Sequence, residues 1–361
     1  MRFIHRSGIG TTLIQLVDEH KHLLSRLEIL KMKIWFSGIQ IPVCGIAGVY
    51  TPPNFRHRGY ARKCLEYALR LQQEDKQCLS FLFGTPNFYE KFGYVLVMPW
   101  YGVYVYHRLW PILPHEPRIY DYSPSDEEAI LRLYRQNVRF QVGPLVRDPQ
   151  NPIKPFFPTA WRNGGIIRTL KDRQKNLTGY VWHSEANAKE FEIVEVGAVD
   201  RTSLDLVLAY LLNESKRRLK NYFIAALPPD DPFSMYLKRF ETKYVVQWKQ
   251  SSGGMATILN LKDIIKRLEP VFCQRVRLIR SDLIPKVLTI STEKESVSLH
   301  IGGTGTESEI KISLKMLTQL LFGHMSLDES VRSGEKNLPK PEICEVLFPR
   351  LHAFTYLKDR Y

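Results

Sequence analysis

Two stretches of this 361-residue chain carry residue types and spacings suited to chemistry. In the first, the apolar run ending in Val49, Tyr50 and Thr51 passes through Pro52 and Pro53 to Arg56, His57, Arg58, Gly59, Tyr60 and Ala61. Leu65, Ala68, Leu69 and Leu71 then recur at helical spacing. The order is strand, basic turn, helix N-terminus. The first turn of a helix has unpaired backbone N–H groups and partial positive charge, so it suits a phosphate or pyrophosphate. Gly59 would let the backbone approach such a ligand, Ala61 keeps the first turn slim, and Arg56 and Arg58 add charge. Taken alone, the same pattern also describes a basic solvated loop before an ordinary helix. His57 is open to three roles there: local base, phosphate donor or solvated side chain.

The second stretch, Asn87-Phe88-Tyr89-Glu90-Lys91-Phe92-Gly93-Tyr94, follows an apolar strand over Leu79 to Phe83. By burial habit Tyr89 is a core aromatic beside Phe88, Phe92 and Tyr94. Together, Val-x-Thr-x-Pro-x-x-Arg-x-Arg-Gly-Tyr-Ala and Phe-Tyr-Glu-Lys-Phe-Gly-Tyr resemble the GNAT superfamily of acetyl-coenzyme A-dependent N-acetyltransferases. The resemblance implies that Val49, Tyr50, Thr51, Arg56, His57, Arg58, Gly59, Tyr60 and Ala61 bind acetyl-CoA. It also implies that Tyr89 is the phenol that protonates the sulfur of coenzyme A. The acceptor is then a primary amine, on a small molecule or a protein lysine, attacking directly in a ternary complex. A free amine with a pKa of about 10.4 is mostly ammonium at neutral pH, so such a site must position and deprotonate it.

The positioning elements are legible in outline. His22 to Phe36 alternates well enough for a long strand, Ser37-Gly38 turns the chain, and Ile39 to Val43 starts the return. Residues 1–20 are short and poorly patterned. A GNAT domain usually has a strand and one or two helices there, lining the acceptor side. The first domain is therefore expected to be N-terminally short: a shortened form, a partial gene model, or one whose substrate wall another domain supplies. Val95 to His107 gives two strands around Pro99, and Leu109 to Pro117 reads as a proline-rich linker. Beyond it, a strand at Arg118-Ile119-Tyr120 and a helix capped by Ser125-Asp126-Glu127-Glu128 lead into a proline-rich loop, Pro144 to Pro158. Strands at Gly165 to Leu170, Gly179 to His183 and Glu190 to Val199 follow, then a helix from Leu204, a strand from Tyr222 and a helix-turn over Tyr236 to Tyr244.

That second region repeats the first. Gly197-Ala198-Val199-Asp200, helix, strand and Met235 to Tyr244 parallel Gly48 to Thr51, helix, strand and Phe88 to Tyr94. Its turn, Arg201-Thr202-Ser203-Leu204-Asp205, has no glycine and has an acid where pyrophosphate would sit, so it is expected to bind no cofactor. From Asp263 the short strands and apolar helices resemble a sterol-carrier-like domain. This order of domains is similar to the enhanced intracellular survival (Eis) family. The expected fold is α/β (α+β): GNAT domain 1–112, degenerate GNAT-like domain 113–262, sterol-carrier-like domain 263–361. The resemblance further implies a homo-oligomer, up to a hexamer, and a C-terminal carboxylate, here of Tyr361, acting as base. A free carboxylate of pKa about 3.5 needs burial or a bridging water for that task. A solvent-exposed tail is the competing reading.

Composition narrows the alternatives. The 44% hydrophobic and 12% aromatic content supports packed cores. The chain has no apolar run long enough to span a membrane, and no signal peptide is recognisable. Five scattered cysteines without a C-x-x-C pair argue against a zinc site or disulfide framework and for a reducing, cytoplasmic setting. The net charge of +14 suits an anionic partner, but the basic residues are spread along the chain, so nucleic acid is not the expected one. Cys44 and Cys64 read as small core residues rather than nucleophiles, and Tyr101, Tyr104 and Tyr106 as sheet packing. The competing function is a CoA- or lipid-binding scaffold without activity.

Overall fold

Alternating exposure along Leu23–Phe36 makes that run a half-buried strand, and Ser37 and Gly38, at φ 48° and 96°, close a two-residue hairpin. A computed structural model describes every residue except 107–117, 148–164, 186–187, 250, 278, 333–340 and 361. In chain order the first elements are β1 (Arg2–Ser7), β2 (Thr11–Val17), β3 (Leu23–Phe36) and β4 (Ile39–Tyr50). They are followed by α1 (Tyr60–Glu74), β5 (Leu79–Gly84), α2 (Pro86–Tyr89), β6 (Val95–Met98) and β7 (Trp100–Tyr106). Next come β8 (Ile119–Asp121), α3 (Glu127–Val138), β9 (Val142–Leu145), β10 (Ile166–Lys171), β11 (Leu177–His183) and β12 (Glu192–Ala198). The repeat closes with α4 (Arg201–Arg217), β13 (Tyr222–Ala225), α5 (Pro232–Leu237) and β14 (Thr242–Gln247). The last elements are β15 (Gly253–Ile258), α6 (Leu261–Val276), β16 (Leu288–Ser291), β17 (Ser296–Leu299), β18 (Ser308–Lys311), α7 (Leu314–Leu321), α8 (Leu327–Arg332) and α9 (Pro341–Leu347).

The architecture is mixed α/β. Among the described residues one sheet runs β1-β2-β3-β4-β5-β15-β6 with β9 added against β3, a second runs β14-β7-β13-β12-β11-β10-β8, and a third runs β17-β16-β18. Residues 1–20, expected to be poorly patterned, form the β1–β2 hairpin, whose pairing runs from Arg2↔Val17 to Ser7↔Thr12. Strand pairing also crosses the expected boundaries at 112 and 262. β7 lies before the first boundary yet sits in the second sheet between β13 and β14, and β15 lies before the second boundary yet sits in the first sheet between β5 and β6. The two repeats exchange a strand, because each sheet is completed by pairings that chain order does not reveal. The parallel pairs β4–β5 and β12–β13, each joined through a helix, are the repeated unit.

Smaller differences follow tertiary pairing. Pro144, expected in a loop, lies in β9, where Leu145 pairs with Ile34. The run Tyr236 to Tyr244 ends α5 and begins β14 rather than forming one helix-turn. The third helix is introduced by a capping box between Ser123 and Asp126. The linker at 109–117 lies outside the described residues.

α1 buries Cys64, Leu65 and Ala68 against Ile14, Leu27, Ile46 and Leu82, forming one core on one face of the first sheet. The opposite face shares a core with the C-terminal segment: Phe36, Val43 and Phe81 pack with Ile265, Leu268 and Phe322. Ala353, Phe354, Thr355 and Tyr356 are buried, so the chain end runs through the interior.

Candidate acyl-transfer site

The site begins where two parallel strands part. β4 pairs with β5 only from Val43↔Leu79 to Gly45↔Phe81, while β5 keeps β15 on its other side from Leu79↔Ile258 up to Gly84↔Gly253. Beyond Gly45 and Phe81 a cleft opens between β4 and β5. A bulge shapes its wall: Glu28 pairs with Ala47 and Arg26 with Tyr50, so Gly48 and Val49 together face Leu27. Gly48 holds φ 58° there, which a residue with a side chain rarely adopts. The parted strand end is then fixed by Ser25, whose buried hydroxyl donates to the Tyr50 carbonyl at 3.1 Å and lies 2.9 Å from the Thr51 hydroxyl. Sequence reading did not single out Ser25, because its partners are a strand pairing away.

One turn carries the basic residues to the helix. Pro53–Phe55 forms a 3-10 turn, Arg56 Nε donates to the Thr51 carbonyl at 3.2 Å, and Arg58 stacks over Phe55 at 5.9 Å. His57 sits at φ 61° and Gly59 at φ 77°. Gly59 is the N-cap of α1, has no side-chain cap, and a Cβ there would meet no atom. Its glycine is therefore a matter of backbone conformation, and the helix N-terminus stays open to an anion beside Tyr60 and Ala61.

The other wall brings Tyr89. A Cβ on Gly84 would fall 2.3 Å from the Tyr89 ring, so the phenol lies directly over the end of β5. Tyr89 packs edge-on to Phe88 at 4.9 Å and Tyr94 at 6.1 Å, and burial alone raises its pKa above the ordinary 10.0. A phenol so held stays protonated at neutral pH. Cys44 and Cys64 are buried, and burial raises both thiols, Cys44 to about 12.

The second repeat is closed where the first is open. Asp200, not Asp205, caps its helix by accepting from the Ser203 N–H and hydroxyl, both at 2.8 Å. Asp205 instead accepts from the Tyr236 hydroxyl at 2.5 Å. The counterpart of Tyr89 is thus tied to a carboxylate.

The chain end approaches the site from the other side. Gly143, at φ 107°, is where a Cβ would lie 2.4 Å from the Phe354 carbonyl, and Phe354 N–H donates to Val142 at 3.0 Å. Arg147, fully enclosed, donates to both oxygens of Glu195 at 2.8 and 2.5 Å and to Asp359 at 3.1 Å. Tyr134 lies 3.5 Å from its guanidinium. Arg360 follows, with its guanidinium 5.0 Å from the centre of the Phe83 ring. Tyr361, expected as a base, lies outside the described residues. Arg147, Asp359 and Arg360 were not expected from sequence; the charges are visible there, but their convergence is not.

Residues 4–97 match the model of the acetyltransferase (GNAT) domain, so the chain carries such a domain, and the class it defines is the N-acetyltransferases of GNAT type. The whole fold is similar to solved structures. An Enterococcus faecalis protein described as a probable N-acyltransferase superposes with a TM-score of 0.72 at 18% identity, over 98% of this chain and 89% of that one. A GCN5-related N-acetyltransferase from Anabaena variabilis gives 0.70 at 15% identity, over 98% and 90%. Eis1 from Mycobacterium abscessus gives 0.63 at 13% identity, over 97% and 90%. No curated protein matches the chain. Among the described residues no helix is long and apolar enough to cross a membrane.

Proposed function

We propose that the chain moves an acetyl group from acetyl-CoA to a primary amine in a ternary complex. The observation that carries this reading is the β4–β5 cleft, bounded by an uncapped helix N-terminus at Gly59 and by the Tyr89 phenol over Gly84. Bound acetyl-CoA would supply the acetyl group as a thioester. The Gly59–Ala61 N–H groups, Arg56 and Arg58 would hold its pyrophosphate, with His57 beside them as a further donor. The strand end at Val49, Tyr50 and Thr51 would offer N–H donors to the thioester oxygen. As the amine nitrogen bonds to the acetyl carbon and the carbon–sulfur bond breaks, Tyr89 would give its proton to the departing thiolate. The proton lost by the amine would go to the Tyr361 carboxylate, directly or through water. Burial of the preceding residues, Tyr356 and Asp359, supports a chain end held in place rather than a free tail.

The same reading takes the segment from residue 263 as sterol-carrier-like and the protein as a homo-oligomer, up to a hexamer, which light scattering on a sizing column would test. The transfer itself is tested by thiol release from acetyl-CoA against a panel of amines, beside a variant with one glycine appended after Tyr361. Turnover that falls with the added glycine supports the terminal carboxylate as base. Cofactor binding with no release on any amine would instead mark a CoA-binding scaffold.

A further inference from the structure

Successive side chains of a strand point to opposite faces, and this sorts the groups around β5. Leu82 joins the core under α1 and Gly84 carries Tyr89, whereas Phe83 points to the other face, where the chain end lies. An amine meeting an acyl group held in the cleft must approach from a side that α1 and Tyr89 do not fill. That is the Phe83 face. There the Arg360 guanidinium stacks on Phe83, held in register by the Asp359–Arg147 contact one residue earlier. Lys249 reaches the same place from the segment before β15, with Nζ 5.6 Å from the Trp100 ring centre. Trp100 in turn donates to the Glu192 carboxylate.

Phe83, Trp100, Glu192, Lys249 and Arg360 are all half-buried, so the cluster is reachable from solvent. Among the described residues neither Arg360 nor Lys249 makes an ion pair, and the enclosed Arg360 Nε has no hydrogen-bond partner. A buried N–H without a partner is costly, and a guanidinium fork matches a carboxylate or phosphate in shape. Burial draws Arg360 down to about 10, and burial with Arg360 nearby lowers Lys249. Among the described residues Glu192 is the one carboxylate near enough to act on both, so two cations share a single counter-charge over one aromatic floor.

We infer that Arg360 and Lys249 form an anion pocket on the acceptor side of the cleft, and that the acceptor is an amine which also carries a carboxylate or phosphate. The inference rests on the acetyl-transfer reading, which places the acceptor on this face. Within the pocket Glu192 faces the same space and offers the ammonium end a partner before its proton is lost. The anionic end sets the distance between pocket and reacting nitrogen.

The test titrates the full chain with three amines of equal length, an amino acid, an aminoalkyl phosphate and a plain alkylamine, by calorimetry and by thiol release. The anionic amines should bind about tenfold or more tightly than the alkylamine, the effect of one charge-assisted pair. Arg360→Gln and Lys249→Met should each bring that ratio close to one; Lys249→Met, on a half-exposed side chain, guards against a folding defect in the first. Comparing the two anionic amines separates carboxylate from phosphate. Equal affinity for all three amines, or a preference untouched by both variants, overturns the pocket. So does an Arg360→Gln loss that is uniform across the amines and reproduced by a glycine after Tyr361, since Arg360 would then serve the chain's own carboxylate. Selective binding without thiol release on any amine would sink the transfer reading and leave the pocket standing.

Discussion

At the scale of single residues the contact between Gly84 and Tyr89 constrains the candidate site directly. With only 2.3 Å between a Cβ at position 84 and the ring, Gly84→Ala must push the phenol away from the strand end. Thiol release should then fall while acetyl-CoA affinity, measured by calorimetry, stays near its starting value. Tyr89→Phe removes the proposed proton donor without moving the ring, and turnover should drop by about 10²-fold. Because burial raises the phenol above 10.0, the alkaline limb of the rate profile due to Tyr89 belongs above that pH. A limb near 8 would assign the proton to another group.

At the scale of elements the two crossovers make a matched pair. α1 begins at an uncapped glycine in the left-handed region, whereas α4 begins at Asp200, whose side chain engages the Ser203 N–H. Asp200→Ala should destabilise the fold by about 1 kcal/mol, the cost of an N-cap, and leave cofactor affinity alone. Gly59→Ala imposes the left-handed conformation on a residue with a Cβ, a penalty of about 1–2 kcal/mol. Pyrophosphate binding should weaken with it, seen as a higher Kd for CoA. A second element, α5, is capped by Asp231, which also accepts from Tyr356 of the chain end. Burial raises this carboxyl to about 7. A carboxyl whose folded pKa is raised stabilises the fold fully below its unfolded value, near 3.8, and loses that contribution as pH rises through about 7. Thermal unfolding across pH 4 to 7 should therefore show declining stability, and Asp231→Asn, which can still cap, should flatten the slope.

At the scale of the whole molecule the exchanged strands and the buried chain end bind the repeats together. Arg147 belongs to the second repeat, Asp359 to the chain end and Phe83, under Arg360, to the first sheet. Arg147→Met would leave Glu195 and Asp359 buried without their cation, a change of about 3–5 kcal/mol. Denaturant unfolding should report that loss, and limited proteolysis should release the chain end first. An unchanged midpoint would mean that the network carries no net stability. The second repeat thus has a structural task, holding the chain end against the first sheet.

The sequence determined what depends on neighbours along the chain. The turn from Val49 to Ala61, the long strand ending at Phe36, the helix from Tyr60 and the Tyr89 motif are set by local periodicity, glycine conformation and helix capping, and they were legible there. The duplication was legible too, since it is a repeat of local patterns. Tertiary structure alone decided the rest. Which sheet β7 and β15 join depends on partners far away in sequence, and a strand's pattern does not name its neighbour. The β1–β2 hairpin escaped notice for the same reason, its weak alternation being stabilised by pairing with β3. Ser25, Arg147, Asp359 and Arg360 look like ordinary polar residues in the chain, because burial and charge convergence arise only when the fold removes water from around them.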